Sequence, residues 1–541
     1  MRMTPTEAPR LDRWPPAVRS ALWAALFWLV PAAATAQAPG ENVGLLCEDA
    51  ADELTPERHL RALSLDLTGA LPTPAWSESV EAAGEVTEAV VDEMMASPGF
   101  LERVVRHHDA LLWNSVRNLS LLSVSFSLGQ TAGSPFFRRV AAPTYRGTTI
   151  GCLDEPATFD EAGRPVTRLV DGARREGWVW VSPYWDPGTP IKVCAFDAQD
   201  PAVSSLGTEC GTVRGAQDVE CGCGPALRYC GVETTRVAIV EAIAEAQRRV
   251  IAATIGEARP YTELFTTRRA FVNGPLVHFW RHHARLPNNY VFEPLLLDPE
   301  TLPDLPFTAR DTWVEIELPP GGAGILTQPA FLIRFQTNRA RPNRFYDAFL
   351  CQPFQPPAGG LPPASDECSR EPDLQQRCGC KYCHALLEPS GAHWGRYAEQ
   401  GAAFLSAERF PPTRQDCVTC ALTGQACSDE CRRFYVMSAL TDEERPYLGM
   451  LKAYQFRRED HVRNVENGPR LLALGAVADN RLPGCVTRRT AEWLLGRPVG
   501  GLTEEEDAWI DELTARFVVG GYRYDTLVRD VVTSPVYRRA R

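Results

Sequence analysis

Seventeen cysteines in 541 residues constrain this chain more than any other feature, because a chain this long builds its cores without covalent staples. Their clustering points to local crosslinks and to a site. The site is written in five residues, Cys380-Lys381-Tyr382-Cys383-His384. C-x-x-C-H is the pattern by which a c-type haem is covalently attached: two thiols add to the vinyl groups of one porphyrin, and the adjacent imidazole becomes the proximal iron ligand. Random placement of 17 Cys and 9 His gives about 0.009 such patterns, so composition alone is a poor source for it. The competing reading is a disulfide knot that ends in His.

The N-terminus bears on which reading holds, since both haem attachment and stable disulfides belong to oxidising compartments. Arg10, Arg13 and Arg19 precede an apolar run, Ala21 to Val30, followed by the small-residue site Ala34-Thr35-Ala36-Gln37. This predicts a signal peptide over 1–36, cut after Ala36, and a periplasmic or secreted mature protein. The run is shorter than the ~20 apolar residues of a membrane span, and no later stretch approaches that length, so no integral membrane segment is expected in the mature chain. The formal charge of −12 argues against nucleic acid as a partner. A redox partner protein is the expected alternative.

The pattern along the chain predicts a mainly α fold: helical modules, a Cys/Gly-rich, partly β insertion, and a loop-rich module around the C-x-x-C-H. In 42–125, Val86, Val90, Val91, Met94 and Met95 recur at helical spacing before Ser97-Pro98, and Leu101, Val104, Val105, His108, Leu111 and Leu112 form a second stripe. His108, on that apolar stripe, reads as a hydrogen-bonded core histidine. Residues 126–232 lose helical periodicity. Gly177-Trp178-Val179-Trp180-Val181 alternates like a strand, and Cys194, Cys210, Cys221, Cys223 and Cys230 predict disulfides rather than zinc, because C-x-C lacks the knuckle spacing. In 233–318 an amphipathic helix is expected over Thr234–Ile255, a second over Pro260–His283 ending in the aromatic-cationic run Trp280-Arg281-His282-His283, and a strand over Trp313–Leu318. Residues 319–435 hold the C-x-x-C-H in Pro- and Gly-rich sequence. The last segment, 436–541, is again helical, with a capping box at Thr503-Glu504-Glu505-Glu506 and a buried face of Trp509, Ile510, Leu513 and Phe517.

Several of these stretches occur together in one order. They are Leu65 to Pro74 with Met95 to Phe100; Tyr261 to Thr266 with Phe271-Val272-Asn273; Gly324 to Phe331, Leu350 to Pro353 and Cys380 to Gly391; and Cys485-Val486, Leu494 to Arg497 and Val532 to Tyr537. In that order they resemble the multi-domain exported cytochrome-like proteins of planctomycetes and myxobacteria, whose modules have little assigned function. The resemblance implies an architecture rather than an activity. After C-x-x-C-H the family usually continues D-P-x-G, whereas this chain has Glu388-Pro389-Ser390-Gly391, which keeps a carboxylate and lengthens its reach.

If haem c is the cofactor, Cys380 and Cys383 form the thioethers and His384 is the proximal metal ligand. Met437 is the first candidate for the sixth position, with Met450, His393 and His461 behind it; a lone Met is more often core filler. An open sixth position would suggest peroxide or oxygen chemistry. Cys378 needs another partner, Cys368 or Cys351, and one thiol of the remaining fifteen is left over. Cys417-Val418-Thr419-Cys420 with Cys427 and Cys431 reads as two structural disulfides before it reads as zinc. No G-x-S-x-G, H-E-x-x-H or phosphate-cradling glycine loop is present. Three function classes remain: a mono-haem electron-transfer or oxidation protein, a haem-free disulfide-braced scaffold, and a haem peroxidase-like enzyme.

Overall fold

Four of the helices begin with one short device, a hydroxyl residue followed by proline. Thr55-Pro56, Thr73-Pro74, Ser97-Pro98 and Ser534-Pro535 each place a side-chain oxygen over the first turn and a preset φ at its first residue. Thr55 accepts from Arg58 N, Thr73 from Trp76 N, Ser97 from Phe100 N and Ser534 from Tyr537 N. These caps open α1 (Pro56–Thr68), α2 (Pro74–Ala83), α4 (Pro98–Leu112) and a short C-terminal helix; α3 (Glu88–Ala96) lies between α2 and α4. The computed structural model describes residues 53–539 apart from 115, 117–118, 131–132, 142–150, 288, 356–359, 361 and 502. The expected signal peptide and Cys47 lie outside the described residues.

The two apolar stripes of the N-terminal segment bury Val90, Val91 and Met94 on α3 and Phe100, Val104, His108 and Leu112 on α4. His108 is fully buried and both ring nitrogens are engaged, one with Val104 O at 2.8 Å and one with Tyr261 Oη at 2.8 Å. It is a core histidine, as its position on the stripe implied.

The insertion carries β1 (Leu128–Gln130), β2 (Phe137–Arg139), a hairpin of β3 (Arg168–Val170) and β4 (Ala173–Arg175), then β5 (Trp178–Val181) and β6 (Ile191–Cys194). The main sheet runs β1-β2-β6-β5, with β2 and β6 parallel and the other neighbours antiparallel. Little of it is regular, and two features hold it. Cys152–Cys194, Cys210–Cys221 and Cys223–Cys230 are disulfides. Arg139 and Asp197 form a fully buried ion pair at 2.7 Å, and the same guanidinium donates to Ala216 O and Cys221 O.

Helix α5 (Glu233–Gly256) packs against α4, β7 (Arg269–Val272) and α6 (Gly274–His278). The single helix expected over Pro260–His283 is not formed. Tyr261–Phe265 is a 3₁₀ turn, and Arg269–Val272 pairs antiparallel with β8 (Val314–Glu317), 45 residues on by its first members. Asn273 then caps α6 and Pro275 opens it, and the chain continues into a π-helical turn at Phe279–His283. β8 is the strand expected from alternation.

Short helices among loops follow: α7 (Pro329–Arg334), α8 (Ala340–Phe349), α9 (Lys381–Ala392), α10 (Gln415–Thr423) and α11 (Asp429–Phe434). The C-terminal segment is α12 (Glu459–Ala478), α13 (Arg481–Leu495), α14 (Glu504–Val519), α15 (Tyr524–Val532) and α16 (Pro535–Arg539). Thr503 caps α14 by accepting from Glu506 N, but Glu506 does not reach back to complete a capping box; it pairs with Arg497 and Gly500 N. The described residues from Leu54 to Arg539 form one contact unit. Its ends meet: Leu54 N donates to Arg538 O, and Tyr537 Oη donates to Asp66 at 2.7 Å. The fold is mainly α with small sheets. Among the described residues no helix is long and apolar enough to cross a membrane.

Candidate haem-attachment site

The pairing of sulfurs isolates one pentapeptide. Besides the three disulfides of the insertion, Cys351–Cys485, Cys368–Cys378, Cys417–Cys431 and Cys420–Cys427 are bonded. Cys380 and Cys383 are the free cysteines among the described residues. The partner expected for Cys378 is therefore Cys368, and the second cluster is two disulfides rather than a zinc knuckle. Asp416, Cys417 and Cys431 do lie close enough together to suggest a metal, but both sulfurs are already joined to each other.

Local geometry places the three reactive side chains together. Cys368–Cys378 closes a ten-residue loop, and Gly379 turns the chain at φ +78°, a left-handed conformation that glycine adopts without penalty. Cys380 then caps α9, whose first turn closes with His384 N donating to Cys380 O at 3.0 Å. Positions i, i+3 and i+4 share one helical face, so Cys380, Cys383 and His384 present two sulfurs and an imidazole side by side. All three are partly exposed, and Cys383 Sγ donates to Gln355 O at 3.2 Å. Tyr382 and Leu386, on the outer side of the same turns, stand exposed.

The imidazole is fixed from behind. His384 Nδ1 donates to Glu388 Oε1 at 2.8 Å, one helical turn on, which leaves Nε2 as the nitrogen for a metal. Glu388 is buried and held from two sides: Arg339 bonds the same oxygen, and Arg457 Nη1 donates to Oε2 at 3.1 Å and to the Glu388 carbonyl at 3.0 Å. Burial works against its ionised form, but the charges and hydrogen bonds of Arg339, Arg457 and His384 outweigh it. The carboxyl is held below its ordinary value. Gly391 allows this clamp to close, because a Cβ there would lie 2.5 Å from Asn338 O, and Asn338 precedes Arg339.

This donor set fits a c-type haem: two reduced thiols at the required spacing, an imidazole on their face, and an anionic acceptor on its remote nitrogen. Sequence reasoning named Cys380, Cys383, His384 and the Glu at 388. It missed Arg339 and Arg457, 49 and 69 residues from Glu388, for which no local pattern exists. The His-x-x-x-Glu spacing was the available signal for the pair itself.

Met437 follows α11 and is partly buried against a core that includes Tyr435, Leu451 and Tyr454. It lines a cavity of about 590 Å³ whose wall includes Arg339, Glu388 and Arg457, but not Cys380, Cys383 or His384. Met437 and Glu388 thus line one cavity, and the two thiols are not among its lining residues. Met450 packs against the same core. His393 is buried, bonds Gly468 O at 2.8 Å through Nδ1, and is pushed down to about 4 by burial. His461 is fully buried, with Nε2 accepting from Arg458. No protein-family model matches this chain, nor does any curated protein or solved structure.

Proposed function

We propose that the first turn of α9 is a covalent haem-attachment site and that this chain is an extracytoplasmic c-type cytochrome-like protein, the class its sequence resembles. One observation carries the reading: fourteen described cysteines are paired, and the two left free are those of the C-x-x-C-H. Cys368–Cys378 braces the loop before the motif without consuming either of its two thiols. The density of disulfides favours an oxidising compartment, where such attachment occurs.

Bound haem would supply one-electron exchange at its iron. The chain's own residues have distinct roles. Cys380 and Cys383 anchor the porphyrin, and His384 presents Nε2 to the metal. Glu388 keeps the Nδ1 proton of His384 in place, which fixes the tautomer and ring orientation. Arg339 and Arg457 keep Glu388 ionised and immobile. Electron transfer or an oxidation outside the cytoplasm is the activity this arrangement supports.

The test is co-expression of the exported chain with haem-attachment machinery, followed by denaturation in acid and organic solvent. Red colour and the Soret band should stay with the polypeptide, and the C380A/C383A double variant should lose both. Colour that extracts into the solvent, or a colourless folded protein in which Cys380 and Cys383 both react as thiols, overturns the reading in favour of a haem-free scaffold.

A further inference from the structure

The π-helical turn after α6 divides the run Trp280-Arg281-His282-His283 among three cavities. Trp280 lines an apolar cleft beside β7, His283 lines one beside the start of α5, and Arg281 and His282 line a third. A π turn inserts one extra residue per turn and so re-aims side chains, and such turns concentrate at functional sites. The third cavity, of about 240 Å³, lies where the disulfide-braced insertion meets the helices.

Its cationic side is assembled with some precision. The backbone carbonyl of Arg228 accepts from Nε2 of both His278, at 3.0 Å, and His283, at 3.1 Å. Those two hydrogen bonds hold the Arg228 backbone, and its side chain lines the cavity, where Nη2 donates to Tyr229 Oη and Nε is buried with no acceptor among the described residues. Arg281 is braced by Pro299 O and Leu302 O. The carboxylate among the lining residues, Asp304, is 3.6 Å from Arg281 but fully exposed, so solvent screens it. Arg228 and Arg281 thus both line the cavity, and among the described lining residues no buried carboxylate offsets them. The lining also carries aromatic rings: Tyr184 stacks on His278 with ring centroids 3.7 Å apart, and Phe307 meets Tyr184 edge-on at 5.0 Å.

We propose that this cavity binds a small organic carboxylate, its anionic end against Arg228 and Arg281 and its apolar body on the rings of Tyr184 and Phe307. Charge-assisted hydrogen bonds from guanidinium N–H groups left unpaired by the protein suit a carboxylate, and a pocket part apolar and part cationic selects an amphiphilic acid over a fully hydrated anion. This site is separate from the C-x-x-C-H turn and does not depend on it.

The experiment is calorimetric titration of the intact chain with benzoate, acetate and inorganic phosphate. Benzoate should bind saturably at one site and acetate more weakly. R228Q should weaken benzoate by about tenfold or more, the loss expected for one charge-assisted hydrogen bond, while R228K should retain part of it. In the wild-type protein, selectively labelled imidazoles of His278 and His282 should shift on benzoate addition while His108 stays still. That measurement stands even if R228Q fails to fold. Absence of saturable benzoate binding, shifts that include His108 equally, or unchanged affinity in folded R228Q would overturn the proposal. Phosphate binding tighter than benzoate would overturn the carboxylate assignment.

Discussion

At the scale of residues, the decisive arrangement is a carboxylate shared by one imidazole and two guanidiniums. Anionic acceptors make a ligating imidazole more electron-rich and favour the oxidised metal. Glu388→Gln removes the charge and keeps the shape. On the proposed haem reading, haem should remain attached, because the thiols are untouched, and the midpoint potential should rise in a potentiometric titration; an unchanged potential would contradict the role given to Glu388. The pH sign follows from the same geometry. Glu388 is held below its ordinary value of 4.5, so the stability it contributes is complete above that pH and is withdrawn as pH falls beneath it. Cys380, Cys383 and His384 could be named as candidates because their pattern is written in contiguous residues. Arg339 and Arg457 were not, because each meets Glu388 only after the intervening chain has folded.

At the scale of elements, local chemistry was readable wherever one segment buries one face. The stripes through Val90 to Met94 and Val104 to Leu112 became α3 and α4 because their partners lie on neighbouring helices. Prediction failed at 260–283 for the complementary reason. Arg269–Val272 finds its hydrogen bonds in Val314–Glu317, a pairing across dozens of residues that no window reveals. The short helix α9 shows how tightly an element is positioned by a missing side chain. Gly391→Ala would push a methyl group to 2.5 Å from Asn338 O and displace Arg339 from Glu388. The expected cost is about 1–3 kcal/mol, the range for forced overpacking, read from urea unfolding. Unaltered stability would mean that α9 and the 338 loop separate more easily than their contact implies.

At the scale of the whole molecule, two covalent and electrostatic features set the conditions under which the chain holds together. Cys351–Cys485 joins the end of α8 to α13 across 134 residues of sequence. On the loop-entropy model, removing it as C351S/C485S should cost roughly 4–5 kcal/mol, visible as a lower thermal midpoint; a loss under ~1 kcal/mol would show that packing alone holds α8 on α13. Buried histidines govern the response to acid. Burial pushes His108 and His393 down to about 4 and His283 to about 3. Each value lies below the ordinary 6.5, so their stability is complete above pH 6.5 and is lost as pH falls toward the folded values. His108 alone withdraws roughly 3 kcal/mol over that window. Urea midpoints measured from pH 7.5 to 4 should fall steeply below 6.5, and a flat profile would contradict the buried neutral state.

Cys378 stands two residues before Cys380, joined to Cys368 while its neighbours stay reduced. If haem is attached as proposed, biogenesis faces a sorting problem: the machinery that oxidises one sulfur must spare two others within a few residues of chain. Yield of the loaded protein would then be governed by the balance between oxidant and reductant during maturation, and a cell too eager to oxidise would trap the chain with Cys378 joined to Cys383.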